Sequence, residues 1–331
     1  MPERDPAERL DELVETILTR GGPGAGAVDD AQLAALLRLA ADLRGLPRED
    51  FRERLEAQLA ITAARAPRGD DMITAITHVR AGFHAITPYL RIPQAADLLE
   101  FMTRAFGATE TFRTIGSAGG LHAEARIEDS MVMVGGFEGM SAMPTAFHLY
   151  VEDADSTYRR ALAAGAITLH PPVDQSYGDR EASVRDPFGN HWYIATHTAT
   201  PRGGHRPTGL RAVTPYLHRD AGGLIDFLKA AFAAEETDRH QSPDGVIHHA
   251  KVRIGDSFVE MGEAHGQWQP MPAAFYLYVE DADALYARAL RAGATSVQPP
   301  ADQPYGDRTA HVRDPHDNVW FIATHRPGRS D

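Results

Sequence analysis

The side chains with the clearest capacity for chemistry lie around Gly255-Asp256. His249, Lys251 and Glu260 alternate with apolar residues on the two sides of this pair. A two-residue turn at Gly255-Asp256 would place Lys251 opposite Glu260, with His249 on the same face, because side chains alternate along a strand. A carboxylate and an imidazole that share a face could exchange a proton with a bound molecule. Glu260 and His249 are therefore the candidate catalytic pair if the chain is an enzyme.

Two alternatives stay open for these polar residues. Glu260 could simply form an ion pair with Lys251 across the hairpin. In the corresponding earlier stretch, alternation puts His122 and Glu124 on one face, and His148 and His191 follow on later strands. These four residues form an alternative ligand set for one divalent metal ion, since imidazole and carboxylate groups are common ligands. Histidines in a polar cavity also serve as hydrogen-bonding groups, without any metal.

The chain repeats itself. Tyr177-Gly178-Asp179-Arg180, followed by Asp186-Pro187, returns 128 residues later as Tyr305-Gly306-Asp307-Arg308, followed by Asp314-Pro315. A period of this length indicates a duplicated domain rather than a solenoid. The shared arginines are expected to stabilise the loops and the Asp-Pro pairs to form turns. Positions at which the copies differ are the better candidates for function.

The elements that must position these residues change along the chain. Residues 1–66 show the caps and apolar periodicity of three short amphipathic helices, and residues 67–82 are typical of a linker. From residue 83 the pattern becomes one of short strands interrupted by single helices, and it gives four βαβββ units. We expect one domain over 83–200, a linker over 201–209 and a second domain over 210–327.

Several motifs carry a family resemblance. They are Thr-Pro-Tyr-Leu at 87 and 214, Phe-Gly-Ala at 106 and Asp-Pro-Phe-Gly-Asn-His-Trp at 186. Together with the paired βαβββ units, they resemble the vicinal oxygen chelate superfamily, in its glyoxalase, bleomycin-resistance and dioxygenase branch. The resemblance covers about residues 83–326. It implies an α+β fold with two tandem domains of cupped mixed sheets, preceded by a small α-helical segment.

The resemblance also implies where a metal ion would be held. Members that catalyse reactions hold a divalent ion with one ligand on each of the first, fourth, fifth and eighth strands. Carried over by position, these places are Thr87, Met133, Ala146 and Tyr193 in one copy and Thr214, Glu260, Ala274 and Phe321 in the other. Only Glu260 is a usual ligand, and exchanging halves between the copies does not complete a set. We therefore expect no metal cofactor, with one divalent ion as the alternative.

Alternation assigns the side chains that face the concave surfaces, here called cups. The expected ligand-binding residues are Thr87, Tyr89, His122, Glu124, Met133, His148, Tyr150, His191, Tyr193, Thr214, Tyr216, His249, Lys251, Glu260, Tyr276 and Phe321. The first copy is expected to build one cup, which includes His148 and His191, and the second copy the other. Trp192 and Trp320 should instead face the helices. Aromatic and methionine-lined cups with few polar groups suit a flat or apolar organic ligand.

These observations predict a protein that binds small molecules, with one aromatic or heterocyclic ligand in each cup, similar to sequestration by bleomycin-resistance proteins. The alternative is a glyoxalase, lyase or dioxygenase-type enzyme that uses an offset metal site or Glu260 and His249. A third interpretation treats the domains as a scaffold and the N-terminal helices as the active part. Those helices are also a candidate surface for homo-oligomerisation.

Composition narrows the class of partners. The formal net charge of −13 opposes binding to nucleic acid or to an anionic membrane surface. The sequence contains no cysteine, which excludes disulfides and thiolate chemistry and suits a reducing cytoplasm. The first residues lack the pattern of a signal peptide. We therefore expect a soluble cytoplasmic protein whose partner is a small organic molecule.

Overall fold

The computed structural model describes residues 78–116, 119–198, 204–266 and 268–326. The predicted N-terminal helices (1–66) and residues 67–77 of the predicted linker (67–82) lie outside these ranges. Within them the chain forms four βαβββ units, as predicted. No helix in the described part of the chain is long and apolar enough to cross a membrane.

The first two units occupy residues 86–197. The first unit contains β1 (Ile86–Arg91), α1 (Ala95–Phe106), β2 (Thr109–Ile115), β3 (Leu121–Ile127) and β4 (Ser130–Gly136). The second contains β5 (Ala146–Tyr150), α2 (Ala154–Ala163), β6 (Ile167–Asp174), β7 (Asp179–Arg185) and β8 (His191–His197).

The last two units repeat this order over residues 213–325. The third unit contains β9 (Val213–Arg219), α3 (Ala221–Phe232), β10 (Glu235–Gln241), β11 (Ile247–Ile254) and β12 (Ser257–Glu263). The fourth contains β13 (Ala274–Tyr278), α4 (Ala282–Arg291), β14 (Thr295–Asp302), β15 (Asp307–Arg313) and β16 (Val319–His325).

Aspartates fix the starts of three of the helices. The side chain of Asp153 accepts a hydrogen bond from the backbone N–H of Ser156, and Asp220 and Asp281 cap α3 and α4 in the same way. Each cap satisfies a backbone donor that has no partner inside the helix. The helix α1 ends at Gly107, whose φ of 72° is left-handed and therefore suits glycine. Local sequence thus determines where the covering helices begin and end.

The sheets combine units from different repeats. One eight-stranded sheet has the order β14-β15-β16-β13-β1-β4-β3-β2, and the other has the order β10-β11-β12-β9-β5-β8-β7-β6. The outer units of the chain, the first and fourth, thus build one sheet, and the inner units, the second and third, build the other. We call the helix-free faces of these sheets the outer cup and the inner cup. The expectation that each repeat builds its own cup is wrong, because alternation reveals the faces of a strand but not its partner strand.

The repeated motifs belong to the framework. Trp192 is fully buried on the helix side of its sheet, as predicted, and its indole N–H donates to Asp186 Oδ2 at 3.0 Å. Trp320 and Asp314 repeat this contact at 2.9 Å. The buried aspartate of each Asp-Pro turn therefore ties the turn to the core.

The paired arginines form the contacts that the predicted role in their loops requires. Arg180 forms ion pairs with Asp155 in the first turn of α2 and with Asp174 at the end of β6. Arg308 makes the equivalent contacts with Asp283 and Asp302. Each arginine thus links its loop to a helix and to the neighbouring strand.

Candidate functional site

The hairpin formed by β11 and β12 has the predicted register. Lys251 lies opposite Glu260, and Ser257 lies opposite Ile254 next to the turn. The apolar side of the hairpin lies in the helix-side core, with Ala250, Val252, Ile254, Val259 and Met261. The face that carries His249 and Glu260 is therefore directed into the inner cup, as the alternation predicted.

The centre of the inner cup is a carboxylate–imidazole network that crosses the two repeats. Nδ1 of His148, on β5, lies 2.6 Å from Oε2 of Glu260, on β12. Nε2 of His148 lies 3.3 Å from Glu181 on β7, and Nε2 of His249 lies 3.3 Å from Glu260 Oε1. His148 and Glu260 were expected in different cups, and the crossed sheets bring them together.

Burial and opposite charge together set the protonation of this network. Burial alone would lower the pKa of His148, but Glu260 and Glu181 raise it to about 10. Burial would raise the pKa of Glu260, yet His148 and His249 hold it at about 2. At neutral pH the His148 ring is therefore an imidazolium that donates one N–H to each glutamate. The side chain of Glu260 is only 3% exposed, so this is a largely desolvated ion pair.

Aromatic rings surround the network. The ring centre of His148 lies 5.4 Å from that of Tyr193 and 5.2 Å from that of Tyr216, and Tyr150 packs at 5.5 Å. Trp268, in the loop after β12, lies 5.5 Å from Tyr193. Burial raises the pKa of Tyr193 and Tyr216, so both phenols stay protonated. The inner cup thus presents flat walls around a charged centre.

A second polar pair lies beside this wall. Nε2 of His218 is 2.6 Å from the hydroxyl of Tyr193, and Trp268 stacks on the His218 ring at 5.5 Å and 14°. Burial lowers the pKa of His218 to about 4, so the ring is neutral and its Nε2 can accept a hydrogen bond from the Tyr193 hydroxyl. This bond fixes the orientation of one aromatic wall of the cup.

Lys251 does not form the ion pair that the hairpin register suggested. Its Nζ lies 5.6 Å from the centre of the Phe258 ring, while Glu260 turns to His148 and His249. Neighbouring positions across a hairpin permit a contact but do not require it, and an imidazolium from the facing unit is the closer partner here.

The outer cup has a less polar centre. The Tyr276 ring stacks parallel to Phe321 with 6.4 Å between ring centres, and Tyr89 lies 5.2 Å from Phe321. The Tyr276 hydroxyl donates to Asp307 at 2.8 Å, and the same aspartate contacts His325 at 2.7 Å. Four equivalent positions carry different side chains in the two cups, with the outer-cup residue given first: Tyr276 and His148, Met133 and Glu260, Phe321 and Tyr193, and Thr309 and Glu181. In three of these pairs the inner cup has a histidine or a glutamate where the outer cup has none.

The structure divides the predicted ligand-binding residues between the two cups. The outer cup receives Thr87, Tyr89, His122, Glu124, Met133, Tyr276 and Phe321, and the inner cup receives His148, Tyr150, His191, Tyr193, Thr214, Tyr216, His249, Lys251 and Glu260. The alternative metal set is therefore split. His122 and Glu124 lie on β3 of one sheet, whereas His148 and His191 lie on β5 and β8 of the other, so these four residues do not converge.

The residues of the cups do not fit the metal site that the family resemblance implies. With the crossed sheets, the four family positions are Thr87, Met133, Ala274 and Phe321 in the outer cup and Thr214, Glu260, Ala146 and Tyr193 in the inner cup. Glu260 is the one usual ligand among these eight, and both of its oxygens contact histidine nitrogens. Within the described ranges no group of three or more histidine or acidic side chains is arranged to hold a metal ion.

The cup residues that were not predicted include Arg80, Glu181, His218 and Trp268. Alternation from Asp179 along β7 would have placed Glu181 on the cup side, and alternation from Tyr216 would have placed His218 there. Trp268 lies in an irregular loop and Arg80 in the expected linker, where alternation carries no information. Their contacts depend on the three-dimensional path of the chain.

Comparison with known proteins agrees with this architecture. The family model described as Glyoxalase/Bleomycin resistance protein/Dioxygenase superfamily matches residues 58–194 and 216–322. An uncharacterized protein of Mycobacterium bovis is 38% identical over 123 residues, which span 33% of this chain and 81% of that protein. A counterpart in Mycobacterium tuberculosis has the same identity over 72% of its length.

Solved structures show the same fold. A mutant of glyoxalase I from Zea mays superposes with a TM-score of 0.57 at 14% identity, covering 73% of this chain and 92% of that one. A structure of glyoxalase I from Zea mays gives a TM-score of 0.54 at 14% identity, covering 73% of this chain and 92% of that one. Identity at this level concerns the fold alone. Taken with the four βαβββ units and the two cupped sheets, the match of the family model shows that this chain belongs to the Glyoxalase/Bleomycin resistance protein/Dioxygenase superfamily.

Proposed function

We propose that the inner cup binds a small planar organic molecule, aromatic or heterocyclic, and sequesters it without converting it, in the manner of a bleomycin-resistance protein. The observation that carries this proposal is the wall of Tyr150, Tyr193, Tyr216 and Trp268 around the polar centre formed by His148 and Glu260. Flat rings favour a flat ligand, and a few fixed polar groups can set its orientation.

The polar groups of the inner cup also suit an orienting role. The ring of His191 lies 6.2 Å from Trp268, and its buried Nδ1 has no hydrogen-bond partner among the described residues. Burial lowers the pKa of His191, so the ring is neutral and keeps one nitrogen as an acceptor. Glu181 is 14% exposed and lies between His148, at 3.3 Å, and the exposed Tyr177, whose hydroxyl donates to it at 3.4 Å. A ligand with hydrogen-bonding groups along its edge could donate to the His191 nitrogen and to the partly exposed Glu181 carboxylate.

We further propose that this binding needs no resident metal ion. The His148 imidazolium has both N–H groups directed at carboxylates and cannot act as a ligand without losing a proton. Metal analysis of protein purified without chelator should find far less than one zinc, nickel, manganese or iron per chain. A near-stoichiometric metal whose removal abolishes ligand binding would contradict this proposal.

Ligand binding can be followed through Trp268. The other two tryptophans, Trp192 and Trp320, are fully buried in the helix-side cores. A planar ligand in the inner cup should therefore quench or shift the emission of Trp268 alone. We expect saturable binding of members of an aromatic and heterocyclic compound panel. The Trp268→Met variant should lose the emission signal, and calorimetry should still detect binding, weakened by the loss of one aromatic wall.

A matched pair of variants tests which cup is used. His191→Val introduces the residue of the equivalent position in the outer cup, Val319, and should weaken binding about 10-fold through a lost hydrogen bond. His311→Ser, which introduces the inner-cup residue Ser183 into the outer cup, should leave the affinity unchanged. Equal losses in both variants, or binding that is insensitive to His191→Val, would argue against the inner cup as the ligand site.

The same network favours a second candidate, acid–base catalysis. Glu260 lies within 3.3 Å of His249 and 2.6 Å of His148, which is the geometry required to pass a proton. This candidate requires turnover of a bound compound. Glu260→Gln should then lower kcat at least 100-fold while ligand binding persists, with His311→Ser as the inactive-cup control. If every ligand found by Trp268 emission is recovered unchanged, sequestration is supported and catalysis is rejected.

A further inference from the structure

The segment of residues 78–85, which precedes β1, crosses the outer cup, and we call it the strap. At one end the backbone carbonyl of His78 accepts a hydrogen bond from the N–H of His325 on β16 at 3.0 Å. Val79 and Phe83 join the apolar cluster of the cup, and the Phe83 ring meets Tyr278 edge to face at 6.0 Å. At the other end the backbone carbonyl of Ala85 accepts a hydrogen bond from the N–H of Tyr278 on β13 at 2.8 Å, so the strap lies over β16 and β13.

Arg80 lies two residues after His78, and its side chain reaches the opposite half of the sheet. Its guanidinium forms an ion pair with Glu124 on β3, a side chain that is only 3% exposed. The same guanidinium lies 4.8 Å from the centre of the Phe83 ring and 5.8 Å from that of Phe112. A buried carboxylate below and aromatic rings beside a planar cation form a recognition site for a guanidinium group. His122 Nε2 is also 3.8 Å from Glu124, so an imidazole completes the surroundings of the carboxylate.

The inner cup shows that the fold does not by itself place an arginine of the preceding segment against a buried carboxylate. There the carbonyl of His205 accepts from the N–H of His197 at 2.9 Å, as His78 does from His325. The place of Arg80 is taken by Pro207, and the place of Glu124 by Lys251. The neighbouring Arg206 turns to Asp129 at 2.9 Å in the β3–β4 turn. Both members of the Arg80–Glu124 pair are therefore particular to the outer cup.

Apart from the paired Arg80 and Glu124, the outer cup contains a buried hydroxyl without a hydrogen-bond partner among the described residues. Thr87 lies on β1 and is 1% exposed, and its hydroxyl has no hydrogen-bond partner among the described residues. In the inner cup the equivalent Thr214 donates to the carbonyl of Arg211 at 3.1 Å. An unused buried donor indicates that the strap does not satisfy every polar group it covers.

We propose that the outer cup is a binding site for organic cations of the guanidinium class, and that the chain fills it with its own Arg80. The strap then excludes free ligands from the outer cup and leaves one open site per chain. Removal of the Arg80 side chain should convert the filled site into a receptor for a small guanidinium compound.

Rescue of an arginine deletion tests the proposal. Arg80→Ala leaves Glu124 without its guanidinium and should lower Tm by roughly 5 °C. About 20 mM ethylguanidinium should recover roughly half of that loss, since a ligand that binds the folded state stabilises it. Ethylurea, which has similar shape and no charge, should recover little. The wild-type protein should respond to neither compound, because Arg80 already occupies the site.

Two further variants make the result decisive. Arg80→Ala combined with Glu124→Gln should lose the response to ethylguanidinium, because the carboxylate is gone. If Arg80→Ala fails to fold, Arg80→Gln keeps the length of the side chain without its charge and is tested in the same way. Equal shifts in wild type and variant, or equal rescue by ethylurea, would overturn the proposal. Trp268 emission should stay unchanged throughout, which separates this test from that of the inner cup.

Discussion

Replacement of Glu260 with methionine is expected to lower the free energy of unfolding by about 4 kcal/mol at pH 6, because it leaves the buried His148 imidazolium with one carboxylate partner instead of two. Glu260 is 3% exposed and accepts from His148 at 2.6 Å, so water does not replace the lost partner. Methionine has a similar volume and occupies the equivalent position of the outer cup as Met133. The loss thus reports on charge rather than on a cavity. Chemical denaturation followed by far-ultraviolet circular dichroism measures it.

The natural outer-cup pair supplies the matched control. Tyr276 and Met133 stand where His148 and Glu260 stand in the inner cup, so the double variant His148→Tyr/Glu260→Met removes both members of this buried ion pair, and Glu181 keeps its contact with the Tyr177 hydroxyl. The new tyrosine hydroxyl could donate to Asp179, as Tyr276 does to Asp307 at 2.8 Å. We expect the double variant to recover at least 2 kcal/mol relative to Glu260→Met, a coupling typical of contacting residues. Additive losses in the cycle would show that the two side chains do not interact.

The stability of the protein should fall on the alkaline side of neutrality. The folded-state pKa of His148 is raised from 6.5 to about 10, so its contribution is complete below pH 6.5 and is lost as the pH rises through 10. The folded-state pKa of Glu260 is lowered from 4.5 to about 2, so its contribution is complete above pH 4.5 and is lost as the pH falls through 2. The pair is therefore fully effective between pH 4.5 and 6.5, and the alkaline loss should reach roughly 4 kcal/mol by pH 10.

A variant without the imidazole isolates this effect. In His148→Tyr/Glu260→Met the steep decline between pH 6.5 and 10 should largely disappear, although groups common to both proteins still titrate. The groups that face the pair, Glu181, His249 and Asp238, are retained in the variant. Free energies of unfolding measured at intervals across this range provide the test. Parallel curves for the two proteins would show that His148 is not held as an imidazolium.

The helices, the strands and the side of each strand that faces a cup could be predicted from the sequence. The strands that pair between different units could not. The hairpin at Gly255-Asp256 was correct to the residue, because alternation and turn chemistry are local. The pairing of β1 with β13 and of β5 with β9 depends on how four similar units dock, and similar units carry similar edges. The ion pair between His148 and Glu260, 112 residues apart, follows from that docking. For the same reason Arg80 had no assigned role as part of a linker.

Because each sheet combines units from both repeats, the two cups need not be related by exact symmetry. A chain with a single repeat would have to recruit a second copy to complete either sheet, and a twofold axis would make the two cups identical. Fusion of both repeats into one chain removes that constraint, since each half then occupies a defined place. One cup can then hold Glu260 while the other holds Met133 at the equivalent position. The covalent link between the repeats therefore does more than raise the local concentration of the halves, because it allows two related cavities to differ in charge and in access.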